Sequence, residues 1–279
     1  MYRRKAFLVA FLFFTTIFTA SFNPINPRIR KDYWLFFDLG DVLISPSKAE
    51  SFNQNRLAFI KYVLKFGRPN SKMITRRLFE LIDHQTGYPP RGTATNNGEH
   101  LPALMCDWLE GKVDSNYFVD RIISIEPNDP FFKNSQEGRL LITVAKMMLP
   151  ENMVKIHKVT KLVDVLQRCK KHDASRVAIL SNMDRDVIPL LKESFPEIFE
   201  GLRDNQIIFS GECGCKKPDE HIYNYAMHSL NLFPNQCVLI DDQSENIIGA
   251  FACGWHGIWH QDYDITMRTI ESCYGFPCS

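Results

Sequence analysis

Short apolar runs that end in hydrophilic residues, alternating with helical stretches, constrain this chain most. Arg176–Asn182, Gln206–Ser210, Cys237–Asp242 and His256–Trp259 have the length and apolar content of buried strands. Between them lie helical patterns over Asp184–Phe195, Glu220–Leu230 and Ser244–Ala252, with Pro189 placed to shorten or kink the first. Such alternation predicts an α/β fold around a parallel sheet with right-handed crossovers. One further run of the same kind, Trp34–Phe37, stands far upstream and ends in Asp38, followed by a loop that begins at Gly40.

From Ser45 to about Asp173 the pattern is helical instead. Helices are expected over Ser47–Phe66, Ser71–Gln85, Leu101–Glu110, Ser115–Ile125, Gly138–Met148 and Lys158–Lys171, with a polar, Pro/Gly-rich loop at Tyr88–Glu99. A helical block is therefore inserted directly after the first strand.

The 33 basic and 32 acidic residues leave a formal charge of +1, which gives no nucleic-acid footprint. The N-terminus departs from this balance. Arg3, Arg4 and Lys5 precede Ala6–Ala20, an uncharged apolar stretch, and Pro24 and Pro27 follow. The stretch suits a signal peptide better than a membrane span of about 20 residues, although extending it to Phe22 approaches an uncleaved anchor. Export (periplasmic or extracellular) or N-terminal membrane association is the expected location. Eight cysteines would matter there, but none forms a CxxC pair and no Cys/His cluster has structural zinc spacing. Cys273 and Cys278 are placed to close a small terminal loop, and the connectivity stays open.

Parallel strands bring their carboxyl ends to one edge of the sheet, where ligands collect. Asp38, Ser181, Asn182, Asp241 and Asp242 follow three such runs, and Lys217 opens the helix after a fourth. Asp38 alone reads equally well as a turn cap or as a nucleophile. The convergence of carboxylates, a hydroxyl and a lysine makes sense for phosphoryl transfer, in which negative charge shifts during reaction. His84, His100 and Arg91 in the helical block read as packed or solvated groups.

The segments FFDLGDVL, AILSN, GCKKPDEHIY and VLIDDQSENIIGA resemble, in order, the four motifs of the haloacid dehalogenase superfamily. The resemblance spans Trp34 to about His260. It implies a Rossmann-like core with the helical block as a cap inserted after the first motif. The expected division is 1–21 as leader or anchor, 22–44 as the first part of the core, 45–157 as cap and 158–279 as the rest of the core. It further implies Asp38 as a nucleophile that forms an aspartyl-phosphate, and Mg²⁺ held by Asp38, the Gly40 carbonyl and Asp241 with Asp242 beside them. Ser181, Asn182 and Lys217 are expected to bind the phosphorylated substrate.

One departure matters. Most phosphatases of the superfamily carry a second Asp two residues after the nucleophile, as the acid for the leaving group; here that position is Gly40. The FDLGxV form resembles a subset that includes sugar-phosphate phosphatases. The expected activity is a Mg²⁺-dependent phosphatase for a small phosphorylated metabolite. The alternatives are a silent relative that binds a phosphorylated ligand or partner protein, and a metal-free 2-haloacid dehalogenase.

Overall fold

Leu35, Phe36 and Phe37 have no exposed surface, and their side chains alternate between the two faces of a sheet. The computed structural model describes residues 32–47, 49–51, 82, 101–124 and 142–277. Its strands are β1 (Trp34–Phe37), β2 (Ile44–Pro46), β3 (His157–Val159), β4 (Val177–Ser181), β5 (Ile207–Phe209), β6 (Cys237–Asp241) and β7 (His256–Trp259). Five of them form one all-parallel sheet in the order β5-β4-β1-β6-β7.

Each face of the sheet buries its own set of side chains. Leu35, Phe37, Ile179 and Ile240 pack beneath the helices Leu162–Asp173, Ile188–Ser194 and Tyr263–Tyr274. Phe36, Leu180 and Leu239 pack beneath Glu220–Leu230 and Ser244–Ala252. Burying each large apolar side chain contributes about 1.5–3 kcal/mol, so the central strands anchor the fold. The α/β architecture expected from the alternation is the one observed.

Three local expectations change. The helix expected from Lys158 begins at Leu162, because β3 pairs antiparallel with β2, Val159 opposite Ile44 and His157 opposite Pro46. Thr160 then turns the chain: its N–H donates to Leu43 O at 2.8 Å, and its hydroxyl oxygen accepts from Leu162 N at 3.1 Å. This strand pair lies where the chain leaves the sheet for the helical block and where it returns. The second change is at Asp184, where the expected helix begins only at Ile188. Pro189 suits a first helical turn, and Asp184 Oδ1 takes the N–H groups of Asp186 and Val187 at 3.0 and 3.2 Å. The third is an additional helix, Tyr263–Tyr274, capped by Asp262 and closed by left-handed Gly275.

In the helical block, Ala103–Leu109 and Ser115–Ile123 are helices, and residues 142–146 are helical. Trp108 stacks on Phe118 with centroids 4.6 Å apart, inside a cluster with Leu104, Ile122 and Ile142. The expected helix over Gly138–Met148 is described only from 142, where it is helical to 146, and those over Ser47–Phe66 and Ser71–Gln85 lie largely outside the described residues. The Tyr88–Glu99 loop, His84, Arg91, His100, Cys278 and the N-terminal leader lie outside them.

Buried polar contacts join the block to the core. Ser115 Oγ donates to Asp184 Oδ1 at 2.8 Å, and Ser115 N to Asp186 Oδ2 at 2.6 Å. Ser210 Oγ donates to Leu109 O at 2.7 Å. Gly111 rests so closely on Gly211 that a Cβ at Gly111 would collide with the Gly211 carbonyl oxygen.

Candidate active site

Register places the acids. Phe37 pairs with Ile240, so the next residues, Asp38 and Asp241, leave the sheet side by side, and Asp38 N donates to Ile240 O at 3.0 Å. Phe37 also pairs with Ile179, which sets Ser181 at the same edge. β1 lies in the middle of the sheet, where the strand order reverses direction, and the carboxyl ends there open a crevice.

Lys217 reaches this edge from the loop before Glu220–Leu230. Its Nζ lies 2.9 Å from Asp38 Oδ1, 2.5 Å from Asp241 Oδ2 and 2.9 Å from Leu180 O. The ammonium's three protons are therefore all engaged within the protein. Lys217 is 1% exposed; burial opposes its charge, but Asp241 and Asp38 outweigh that and hold it above its ordinary pKa. Asn182 fixes the lysine's backbone reciprocally. Its Oδ1 accepts from Lys217 N at 2.7 Å, and its Nδ2 donates to Lys217 O at 2.8 Å. Asn182, a residue expected to bind substrate, thus engages both ends of its amide with the Lys217 backbone.

Asp241 is held on both oxygens. Oδ1 accepts from Gln243 N at 2.8 Å, and Asn246 Nδ2 lies 3.0 and 3.1 Å from Oδ1 and Oδ2. Reading strand ends missed Asn246 as a partner of Asp241, because it lies inside the helix Ser244–Ala252. The sequence signal for it was its place in IDDQSEN, five residues after Asp241.

Oxygen atoms from Asp38, Asp241 and Asp242 lie within 4.8 Å of one another, the one such group of three donors among the described residues. Burial, against the pull of Lys217 and with Asp241 adding repulsion, raises Asp38 to about 6. Burial and then the neighbouring Asp38, Asp241 and Asp41 raise Asp242 to about 7. Three carboxylates thus share one ammonium. Asp242 Oδ1 is buried without a hydrogen-bond partner, and Asp38 Oδ1 has only its ion pair. A hard cation fits this all-oxygen, charge-deficient set.

Gly40 leaves open space. A Cβ there would meet only Asp38 Oδ2, at 3.9 Å, and the left-handed residue of the loop is Asp41, with φ 53°. Asp41 is exposed, and its N–H donates to Ile44 O at 2.8 Å.

A family model of haloacid dehalogenase-like hydrolases matches residues 34–254. The chain belongs to that family. A HAD family enzyme from Bacteroides thetaiotaomicron, solved as a magnesium complex, is 16% identical over 85% of this chain and 99% of its own, with a TM-score of 0.50. The same enzyme as a mutant, solved with magnesium and inorganic phosphate, gives 15%, 84%, 98% and 0.50. These likenesses show the HAD fold. Acyl-CoA dehydrogenase family member 10 of Mus musculus is 24% identical over 182 residues, 61% of this chain but only 15% of that protein.

Proposed function

We infer that this HAD-like hydrolase is a Mg²⁺-dependent phosphomonoesterase acting on a small phosphorylated metabolite, a sugar phosphate being one class that fits. The carrying observation is the placement of Asp38 against Lys217 and two further carboxylates at one sheet edge. Asp38 attacks phosphorus; a phosphorus–oxygen bond forms as the bond to the leaving oxygen breaks. Water then attacks the aspartyl-phosphate and releases inorganic phosphate. Once esterified, Asp38 no longer carries the charge that holds Lys217, which frees a lysine proton for a phosphoryl oxygen. Ser181, 1% exposed at the end of β4, supplies a hydroxyl at the same edge. Asn182 and Asn246 hold Lys217 and Asp241 in place. A magnesium ion held by Asp38, Asp241 and Asp242 with the Gly40 carbonyl would supply positive charge to the phosphate oxygens.

Gly40 favours a second reading, a silent relative that binds a phosphorylated ligand, because no carboxylate stands where a leaving-group acid is usual. A dehalogenase is disfavoured: Asp241 and Asp242 would repel a haloacid carboxylate. Phosphate release from a panel of phosphorylated metabolites, and halide release from a 2-haloacid, each with Mg²⁺ and with EDTA, discriminate the three. Metal-dependent phosphate release is expected. Phosphate binding without turnover selects the silent relative, and halide release that survives EDTA selects the dehalogenase. The basic-then-apolar N-terminus supports export or membrane anchoring, checked by sequencing the N-terminus of the mature protein.

A further inference from the structure

The backbone brings Cys213 and Cys215 together. Cys213 ends the helical turn Ser210–Cys213, Gly214 takes φ 76°, and the chain folds back so that the two Sγ atoms lie 3.4 Å apart. Cys213 Sγ also lies 3.3 Å from Cys215 O. A Cβ at Gly214 would meet nothing within 4 Å, so the turn itself, and not tight packing, calls for glycine there. Neither cysteine is in a disulfide, and both keep part of their surface exposed. A disulfide bond of about 2.05 Å asks each sulfur to move by only about 0.7 Å, a shift of the size that side-chain rotation gives.

The two thiols are not equivalent. Burial, and then the hydrogen bond and charge of Cys213, with Asp219 and Glu110 adding, push the Cys215 thiol up to about 12. Thiolates, not thiols, attack disulfides, so Cys213 is the sulfur that attacks first. Once Cys213 is capped, two of the influences that keep Cys215 protonated are gone. Both residues line a cavity of about 750 Å³ beside the helices Ala103–Leu109 and Glu220–Leu230, and none of the three active-site carboxylates lines it. A cavity of that size admits a small molecule. Its lining carries Lys112 and Lys216 beside Glu110 and Asp219, both signs of charge, which matches the ammonium and carboxylate groups of a small peptide disulfide.

We propose that Cys213 and Cys215 are a redox modification site, a dithiol that small peptide disulfides of the glutathione type oxidise to a Cys213–Cys215 disulfide. The Cys213 thiolate attacks one sulfur of the incoming disulfide, forming a mixed disulfide and releasing one glutathione thiolate. Cys215 then gives its proton to solvent, and its sulfur attacks Cys213 Sγ and displaces the second glutathione thiolate. Two protein thiols are oxidised, and one glutathione disulfide is reduced to two thiols. The bond closes within the segment that runs on to Lys217, two residues after Cys215.

The test is peptide mapping of the reduced full chain after equilibration with glutathione and its disulfide. Trypsin cuts after Arg203 and Lys216, so one peptide, 204–216, holds both cysteines and no other. In the wild type and in Cys106→Ser, that peptide is expected to become lighter by two hydrogens, to refuse an alkylating reagent and to recover both thiols with dithiothreitol. The folded chain should be half oxidised at a ratio of glutathione disulfide to squared glutathione at least about tenfold below that needed in urea, because the turn holds the sulfurs together. A wild-type peptide that keeps two alkylable thiols under excess glutathione disulfide, that ends as a glutathione adduct, or that is bonded to Cys106 would overturn the proposal. So would equal half-oxidation ratios for the folded and the urea-unfolded chain.

Discussion

Asp38 carries the account at the scale of single residues, and its surroundings set opposing demands. Without a cation, its carboxylate is buried and crowded by Asp241, and relieved by Lys217 and by a hydrogen bond from the Ser181 side chain. Asp38→Asn removes one of three neighbouring negative charges without changing shape. The metal-free variant should therefore melt at or above the wild-type temperature while losing activity, the usual opposition between a charged site and stability. A clear fall in its melting temperature would mean that the Asp38–Lys217 pair is worth more to the fold than the repulsion costs. At Gly40, the open space and ordinary φ make Gly40→Asp free of backbone strain. With no acid in place, the wild type should hydrolyse aryl and anomeric phosphates, whose leaving groups depart easily, faster than primary alkyl phosphates. Gly40→Asp should then raise the alkyl rates selectively, by up to about 10²–10⁴. Equal wild-type rates on aryl and alkyl esters, measured where chemistry limits turnover, would show that another group already donates the proton.

At the scale of elements, the contact between helical block and core is the feature with the most leverage. Asp184 sits in it, raised to about 6 by burial even though the Ser115 hydroxyl and the Val187 and Asp186 N–H groups favour its charged form. An acid whose folded pKa is raised stabilises fully below its unfolded value near 4, and that contribution is lost as pH rises through about 6. Asp184→Asn keeps the oxygen that accepts all three hydrogen bonds and cannot ionise. Its stability relative to wild type should rise between pH 4 and pH 7, by at most about 3 kcal/mol, which denaturant melts at both values would measure. A pH-independent difference would remove Asp184 as the titrating group. Gly111→Ala tests the same contact by steric means. With φ at 68° and the new Cβ driven into the Gly211 carbonyl, it should destabilise the fold by roughly 1–3 kcal/mol. This contact was not legible in the sequence, because Ser115 meets Asp184 only once the chain has folded. The strand ends were legible because Asp38 and Asp241 each close a contiguous apolar run. The β2–β3 pair was not, since three-residue strands carry no periodicity and their pairing overrode a helical reading at Lys158. Asn182 was legible as a strand-end polar residue, but its task of holding Lys217 depended on a partner 35 positions away.

Across the whole molecule, the site and the fold share one free-energy balance. A cation bound only by the folded state adds about 2.7 kcal/mol at a hundredfold excess over its Kd. For a domain of this size that corresponds to a rise of roughly 5–10 °C in melting temperature. Mg²⁺ should produce such a rise in the wild type and none in an Asp241→Asn/Asp242→Asn double variant, whereas an equal rise in both would place the ion elsewhere. Under the proposed function, Asp38 is the nucleophile of a metal-dependent phosphatase. The most direct measurement is phosphate release from an aryl phosphate by wild type and Asp38→Asn, side by side, with Mg²⁺ and with EDTA. Release by the wild type only with Mg²⁺ is expected, with a loss of about 10³-fold or more in Asp38→Asn. A variant that keeps more than about a tenth of the wild-type rate would contradict it.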